Sequence, residues 1–300
     1  MEVITAKIEE NKAIGLREKV ASYVELTKPR IALMLVMTSA AGFYLGTAND
    51  FNVTLFVNAM VGIALLAFGV ATLNQVWERK TDLLMDRTAK RPLPAQKLSF
   101  GEALAFGILL CAVAEIYMAF LVNNLTAILG LVVIVGYVLL YTPLKTRTSA
   151  STAIGAIPGA IPPLIGWAAS ANEISLGAWS LFAILFLWQF PHFLAIAWMY
   201  REQYAKAGIL MLPVIEPEGK ITARQIVIFA VLLLPFSLAP YFIGFAGVVY
   251  LVGAIGLGLW FLAASIQAAR AKSVEQARKL LLVSVIYLPL IFALMVLNNK

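Results

Sequence analysis

Apolar residues form long blocks along the chain, and polar residues collect between the blocks instead of alternating with apolar ones. A helix that crosses a bilayer needs about 20 predominantly apolar residues, and the blocks are long enough for nine such spans. The predicted spans are residues 28–47, 53–76, 101–121, 124–141, 152–170, 178–200, 224–244, 246–268 and 279–298. Short alternating segments, typical of a membrane barrel, are not seen. We therefore predict an all-α polytopic membrane protein with nine transmembrane helices in a single bundle.

The composition supports this class. Of the 300 residues, 61% are hydrophobic and 13% are charged, whereas a soluble domain carries about 25% charged residues. All but one of the 23 Lys and Arg residues lie in the N-terminal segment or in every second loop. Because positive residues stay on the cytoplasmic side, we predict a cytoplasmic N-terminus and a C-terminus outside. The net charge of +7 is then a topology signal and requires no nucleic-acid partner.

The N-terminal segment precedes the first span. Its glutamates argue against a mitochondrial targeting peptide, which avoids acids. We predict that residues 1–22 form an amphipathic segment on the cytoplasmic surface and that residues 23–300 form one nine-helix domain.

The stretch NQVWERKTDLLMDRTAKRPLP, residues 74–94, follows the second apolar block. Asn74, Glu78, Asp82 and Asp86 recur every four residues, so the first three share one helix face, while Asp86 has drifted by about 120° or has left the helix. Two carboxylates and an amide oxygen are ligands that Mg²⁺ prefers. The alternative is a solvated helix end. Asn74 argues against it, because a polar side chain at the inner edge of an apolar run needs a polar partner.

Prolines interrupt the fifth span. Pro158, Pro162 and Pro163 predict a broken helix, and the freed carbonyls must find partners inside the membrane. Two interpretations stay open, an ordinary proline kink and a break that lines a substrate site.

Five stretches together resemble the UbiA-type intramembrane prenyltransferases, and within them the heme-modifying branch. They are ELTKPR (25–30), residues 74–94, YTPLKTRT (141–148), WQFPHF (188–193) and YREQYAKAGILMLP (200–213). The resemblance spans about residues 22–297. Two departures stand out. Gln75 replaces the acid that follows the Asn in the family's first motif, and the second acidic motif falls on Tyr200 and Tyr204, where Glu202 is the only acid.

The resemblance implies transfer of the farnesyl group of farnesyl diphosphate to a vinyl group of heme b, with addition of water, to give heme O and diphosphate. It implies Mg²⁺ as cofactor, held by Asn74, Glu78 and Asp82. The implied catalytic residues are Asn74, Glu78, Asp82, Lys145 and Arg201, and the further candidates for substrate binding are Lys28, Arg30, Arg87, Arg91, Tyr141, Arg147, His192 and Glu202. The implied setting is a bacterial inner membrane, with the site facing the cytoplasm and heme A synthase or a terminal oxidase assembly as partner.

Two further polar residues lie within predicted spans. His192 is the only histidine, and imidazole is a common axial ligand of heme iron; its alternative role is to bond a carbonyl freed by Pro191. Glu115 either pairs with a polar group on a neighbouring helix or contacts a heme propionate.

Other functions compete with this interpretation. A related enzyme that prenylates a quinone precursor such as 4-hydroxybenzoate is disfavoured by the missing second acidic pair and by WQFPHF. A secondary transporter would place its acids near the midplane of the bilayer, whereas these acids cluster at one face. A purely structural subunit gives no reason for the ladder of Asn74, Glu78 and Asp82.

Overall fold

Helices form the regular structure of the chain, as the apolar blocks predict. The computed structural model describes residues 15–47 and 50–299, and within these ranges nine helical spans are long and apolar enough to cross a membrane. The helices are α1 (Leu16–Leu26), α2 (Pro29–Gly46), α3 (Val53–Asp82), α4 (Phe100–Leu121), α5 (Asn124–Val133), α6 (Thr142–Leu144), α7 (Ser151–Ala160), α8 (Pro162–Ala171), α9 (Leu176–Met199), α10 (Arg201–Lys206), α11 (Leu212–Ile215), α12 (Lys220–Ile243), α13 (Val248–Ala271) and α14 (Val274–Leu297). The all-α fold and the number of spans are confirmed.

Five predicted span ends differ from the structure by three to six residues. The seventh span begins at Lys220 instead of 224, the eighth ends at Ala271 instead of 268, and the ninth begins at Val274 instead of 279. Helix α3 continues to Asp82, six residues beyond the predicted end at 76, because a helix needs only its backbone hydrogen bonds to continue after its apolar residues end. Asp86 lies in the turns that follow, so it has left the helix. The fourth span ends at Leu144 instead of 141, because a π-helical segment, Ile134–Tyr141, joins α5 to α6.

The N-terminal prediction is only partly covered by the structure. Residues 1–14 of the predicted amphipathic segment lie outside the described residues. Helix α1 begins at Leu16 and runs past residue 22 to Leu26.

The fifth span is broken at Ile161, between α7 and α8. The break is packed inside the protein. The carbonyl of Pro162 accepts a hydrogen bond from Ser39 Oγ at 2.8 Å, and the carbonyl of Ala156 accepts one from Gln189 Nε2 at 3.1 Å. Neighbouring helices therefore hold the backbone on both sides of the break. The carbonyl of Pro158, which the missing N–H of Pro162 frees, accepts from the Ile161 amide at 3.4 Å, and these bonds do not distinguish a proline kink from a break that lines a substrate site.

Two loops cover the end of the bundle that carries the basic residues, here called the basic end. The loop after α3 packs through Met85 against Tyr204, Ile209 and Met211 of the segment that follows α9. Helix α1 is also held there, because Gln75 Nε2 donates to the carbonyl of Leu26 at 2.9 Å and so satisfies one of the open carbonyls at a helix C-terminus. Both loops are therefore fixed over the C-terminal end of α3.

Candidate functional site

The ladder on α3 points into the protein. Asn74 and Asp82 are each 1% exposed, and the Glu78 side chain is 12% exposed. A solvated helix end would leave these groups in water, so the structure favours the interpretation as a site over the solvated alternative.

Each of the three side chains meets one cation. Lys28 Nζ donates to Asn74 Oδ1 at 2.8 Å, Lys145 Nζ lies 2.5 Å from Glu78 Oε1, and Arg91 Nη1 lies 2.7 Å from Asp82 Oδ2. The cations come from three different parts of the chain. The inner end of α3 is therefore a row of oxygens faced by a row of positive groups, and we call these six residues the α3 site.

Lys28 is positioned by an unusual backbone. It follows α1 with φ = 47°, a left-handed conformation that costs a non-glycine residue about 1 kcal/mol or more. This conformation turns the chain from α1 into α2. Burial lowers the pKa of the Lys28 ammonium to about 8, although the nearby Glu78 carboxylate acts in the opposite direction. A bound anion would stabilise the charged form of this buried amine.

Lys145 is held from two sides. Its ammonium lies 4.4 Å from the centroid of the Tyr141 ring, a cation–π contact. Burial lowers the pKa of Lys145, but Glu78 and the neighbouring tyrosines outweigh burial and raise it well above its ordinary value. The carbonyl of Lys145 accepts from the Leu210 amide at 2.8 Å, which joins the segment after α6 to the segment that follows α9.

Thr142 contributes to the site and was not singled out in the sequence. Asn74 Nδ2 donates to Thr142 Oγ1 at 3.2 Å, and Thr142 Oγ1 donates to the carbonyl of Tyr137 at 2.7 Å. This chain of bonds fixes the Asn74 amide so that its oxygen points toward Lys28. The stretch YTPLKTRT contains Thr142, but nothing in its pattern distinguishes this threonine from its neighbours.

Arg87 occupies the place where the resemblance puts a second acidic motif. Its Nη2 donates to Tyr204 Oη at 2.9 Å, and its guanidinium carbon lies 4.9 Å from the Tyr200 ring centroid and 5.4 Å from that of Tyr204. Burial raises the pKa of Tyr204, although Arg87 opposes this. Two tyrosines therefore hold a cation here.

Besides Arg87 and His192, whose partners lie elsewhere, four candidates have no hydrogen bond, ion pair or cation–π contact with the α3 site among the described residues. Arg30, Arg147 and Glu202 are largely exposed, and Arg201 lies 5.3 Å from the Trp198 ring centroid.

The α3 site fits a single Mg²⁺ by the chemistry of its donors. No group of three or more His, Cys, Asp or Glu side chains suited to a metal occurs in residues 15–47 and 50–299. The α3 site offers two carboxylates and one amide oxygen instead, which are hard ligands. Mg²⁺ commonly binds through one or two carboxylates and completes its shell with waters and substrate phosphates.

His192 lies within α9, seven residues before its last residue, Met199. Its Nδ1 is 2.7 Å from Ser284 Oγ on α14, and its ring stacks on Trp188 with centroids 4.5 Å apart. The alternative that His192 bonds a carbonyl freed by Pro191 is not what the structure shows, because its partner is a hydroxyl on another helix.

An apolar groove runs between α2 and α14. Its volume is about 390 Å³. Its lining includes Met34, Met37 and Ala41 on α2 and Leu288 and Phe292 on α14. The lining also includes Tyr44, Phe51, Phe56 and Val296, so the groove lies toward the ends of α2 and α14 that are farther from the α3 site.

Glu115 lies against Gly130 of α5. Neither of its carboxylate oxygens has a hydrogen-bond partner within the part of the chain that the structure describes. The predicted pairing with a polar group on a neighbouring helix is therefore not seen.

Comparison with known sequences gives a consistent result. The sequence profile of the UbiA prenyltransferase family matches residues 35–294. The protoheme IX farnesyltransferase of Solibacter usitatus is 48% identical over 286 residues, which cover 92% of this chain and 98% of that protein. The protoheme IX farnesyltransferase of Koribacter versatilis is 43% identical over 296 residues, with 95% of each chain covered.

Solved structures share the fold at low identity. A structure described as digeranylgeranylglyceryl phosphate synthase superposes with a TM-score of 0.79 at 17% identity and covers 94% of this chain and 98% of its own. A UbiA homolog from Archaeoglobus fulgidus, bound to GPP and Mg²⁺, superposes with a TM-score of 0.69 at 18% identity and covers 91% of this chain and 99% of its own. These likenesses establish the nine-helix fold.

Proposed function

Because the chain belongs to the UbiA prenyltransferase family, we propose that it transfers the farnesyl group of farnesyl diphosphate to a vinyl group of heme b and so makes heme O. The observation that carries this proposal is the α3 site, where buried oxygens and cations face one another at the inner end of the bundle. The full-length relatives are named for this reaction.

The charges of the α3 site suit a metal diphosphate. The net charge of the α3 site is +1, because it contains two carboxylates and three cations, Lys28, Arg91 and Lys145. A diphosphate monoester that carries three negative charges, together with one Mg²⁺, leaves one negative charge. Binding therefore neutralises the site, which is favourable where water is excluded. The oxygens of Asn74, Glu78 and Asp82 would hold the metal, and the cations Lys28, Lys145 and Arg91, then free of these oxygens, would bind phosphate oxygens.

Departure of the diphosphate is the demanding step. The bond between C1 of the farnesyl chain and the phosphate oxygen breaks, and the electron pair leaves with the diphosphate. When bound, Mg²⁺ supplies charge neutralisation for this leaving group. Lys28, Lys145 and Arg91 supply the rest from fixed positions, without a proton transfer.

We propose that the guanidinium of Arg87 neutralises the diphosphate, as a second metal ion would in a protein that has the second acidic motif. The guanidinium is presented by Tyr200 and Tyr204, and an arginine binds phosphate oxygens in a bidentate manner. We therefore propose one Mg²⁺ and one guanidinium at the diphosphate. Arg30, Arg147, Arg201 and Glu202 remain candidates for contacts that form when substrate binds.

The apolar parts of the substrates lie within the membrane. We propose that the groove between α2 and α14 receives the far part of the farnesyl tail. A diphosphate beside Lys28 directs the tail along α2, and the groove begins at Met34, about 9 Å farther along that helix. The vinyl group of heme b attacks C1, water captures the cation next to the porphyrin, and that water loses a proton. The product carries one new farnesyl group and one new hydroxyl group.

The setting follows from the charge pattern. We propose that the basic end faces the cytoplasm and that residues 23–300 form the catalytic domain. The bacterial relatives support a bacterial inner membrane as its location. A heme A synthase or a terminal oxidase assembly is the proposed recipient of the product.

An acceptor comparison tests the proposal. Purified protein receives labelled farnesyl diphosphate with heme b or with 4-hydroxybenzoate. We expect label only in the porphyrin. Label in the benzoate alone would instead support the quinone-precursor enzyme, and solute flux without release of diphosphate would support a transporter.

A further inference from the structure

Ser284 makes two hydrogen bonds through one hydroxyl group. Its Oγ lies 2.6 Å from the carbonyl of Leu281 and 2.7 Å from His192 Nδ1. A carbonyl oxygen only accepts hydrogen bonds, so the single hydroxyl proton of Ser284 must point to Leu281. The Ser284 oxygen is then an acceptor toward His192.

This arrangement decides the tautomer of the imidazole. Because Ser284 accepts, His192 must donate through Nδ1–H. The neutral ring then carries its lone pair on Nε2. No hydrogen-bond partner of Nε2 is found within the described residues. An unprotonated ring nitrogen is the form that binds iron, and the bond made by the other nitrogen selects it.

The plane of the ring is fixed as well. Trp188 stacks on His192 with an interplanar angle of 23°, and its Nε1 donates to the backbone carbonyl of Ser284 at 2.9 Å. One residue of α14 therefore anchors both the imidazole and the indole that packs on it. The face of α14 that carries Ser284 continues, four residues on, to Leu288 in the wall of the apolar groove.

We propose that Ser284 is a positioning residue for the heme substrate, which holds His192 as the Nδ1–H tautomer so that Nε2 ligates the heme iron. The inference rests on the proposed function, because it requires heme b as acceptor. Ligating histidines in proteins generally donate their other N–H to a fixed acceptor, and loss of that acceptor costs about 10- to 100-fold in metal affinity. Iron ligation places the porphyrin at a fixed depth, beside the groove that holds the farnesyl tail.

The test uses the full chain in detergent micelles, titrated with ferrous protoporphyrin IX and, separately, with metal-free protoporphyrin IX. Resonance Raman spectroscopy reports the iron–histidine stretch. The variants are Ser284→Ala, which keeps the carbonyl that Trp188 uses, Ser284→Thr, which keeps a hydroxyl, and His192→Ala. Ser265→Ala is the matched control, because Ser265 is a buried serine on the neighbouring helix α13 with no hydrogen-bond partner for its Oγ in the described residues.

We expect Ser284→Ala to weaken binding of the iron porphyrin about tenfold or more and to lower the stretching frequency, with unchanged binding of the metal-free porphyrin. Ser284→Thr and Ser265→Ala should behave like the wild type, and His192→Ala should lose the band.

Two results would overturn the inference and leave the proposed function standing. One is a wild-type protein that binds ferrous protoporphyrin IX without an iron–histidine band, or a His192→Ala protein that binds it with unchanged affinity. The other is a Ser284→Ala protein that matches the wild type, or that loses affinity equally for both porphyrins. Wild-type protein that binds neither porphyrin would instead contradict the proposed function itself.

Discussion

Lys145, just beyond the fourth span, forms an ion pair with Glu78 on α3 that is almost completely enclosed, with side chains 17% and 12% exposed. Removal of one partner from a buried pair leaves an uncompensated charge, which costs about 3–5 kcal/mol. We expect Lys145→Gln to lower the thermal unfolding midpoint of the purified protein by several degrees. The double variant Glu78→Gln/Lys145→Gln should recover much of the loss. Strictly additive shifts would show that the two side chains do not interact.

Substitution of the carboxylates should affect catalysis as well as stability, because each change also removes the ion pair of Lys145 or Arg91. Glu78→Gln and Asp82→Asn retain the shape of each side chain but remove the charge that holds the metal. We expect each to lower kcat/KM about 100-fold or more, in line with the loss of one preorganised electrostatic group. Glu218→Gln, at an exposed acid of the same end of the bundle, is the control and should retain full activity. An active Glu78→Gln enzyme would exclude the α3 site as the metal site.

Arg87 should act on the diphosphate. We expect Arg87→Met to raise the KM for farnesyl diphosphate about tenfold or more, because a charge-assisted contact contributes about 1.5–3 kcal/mol. Tyr204→Phe removes the hydrogen bond to Arg87 but keeps the ring, so its effect should be smaller. Arg224→Met tests for a general effect of charge at the basic end.

Equilibrium metal analysis with a diphosphate analogue should give one Mg²⁺ per chain, and two would contradict the assignment of Arg87.

The groove can be filled without a change at the α3 site. Ala293 lines the groove and is exposed in it, so Ala293→Phe should obstruct the farnesyl tail and raise the KM for farnesyl diphosphate. Inhibition by inorganic diphosphate should be unchanged, because that anion has no tail. Ala105→Phe, on the exposed face of α4, controls for an added ring at the lipid surface. Equal KM values for the two variants would mean that the tail lies elsewhere.

The helices and the ladder could be predicted from the sequence because both are local. The length of an apolar block predicts a membrane span, and polar residues spaced by four lie on one helix face. The sequence alone therefore places Asn74, Glu78 and Asp82 together. The end of α3 was missed because hydrophobicity stops at residue 76 while the helix continues to Asp82.

The partners of the ladder could not be predicted, since they depend on how distant segments fold together. The bond from Lys28 to Asn74, the bond from Asn74 to Thr142, and the contact of Arg87 with Tyr200 all join parts of the chain that are far apart in sequence. Gln75 departs from the family pattern for a reason visible only in three dimensions, because its amide holds the last carbonyls of α1.

The central claim is that a divalent ion at the α3 site allows a farnesyl group to be added to heme b. The most direct measurement is mass spectrometry of porphyrins after incubation of the purified protein in lipid vesicles with heme b and farnesyl diphosphate, with Mg²⁺ or with a chelator. The account predicts a product heavier than heme b by one farnesyl and one hydroxyl group, formed with Mg²⁺ and absent with chelator. Equal formation of that product in both samples, or no such product with Mg²⁺, would contradict it.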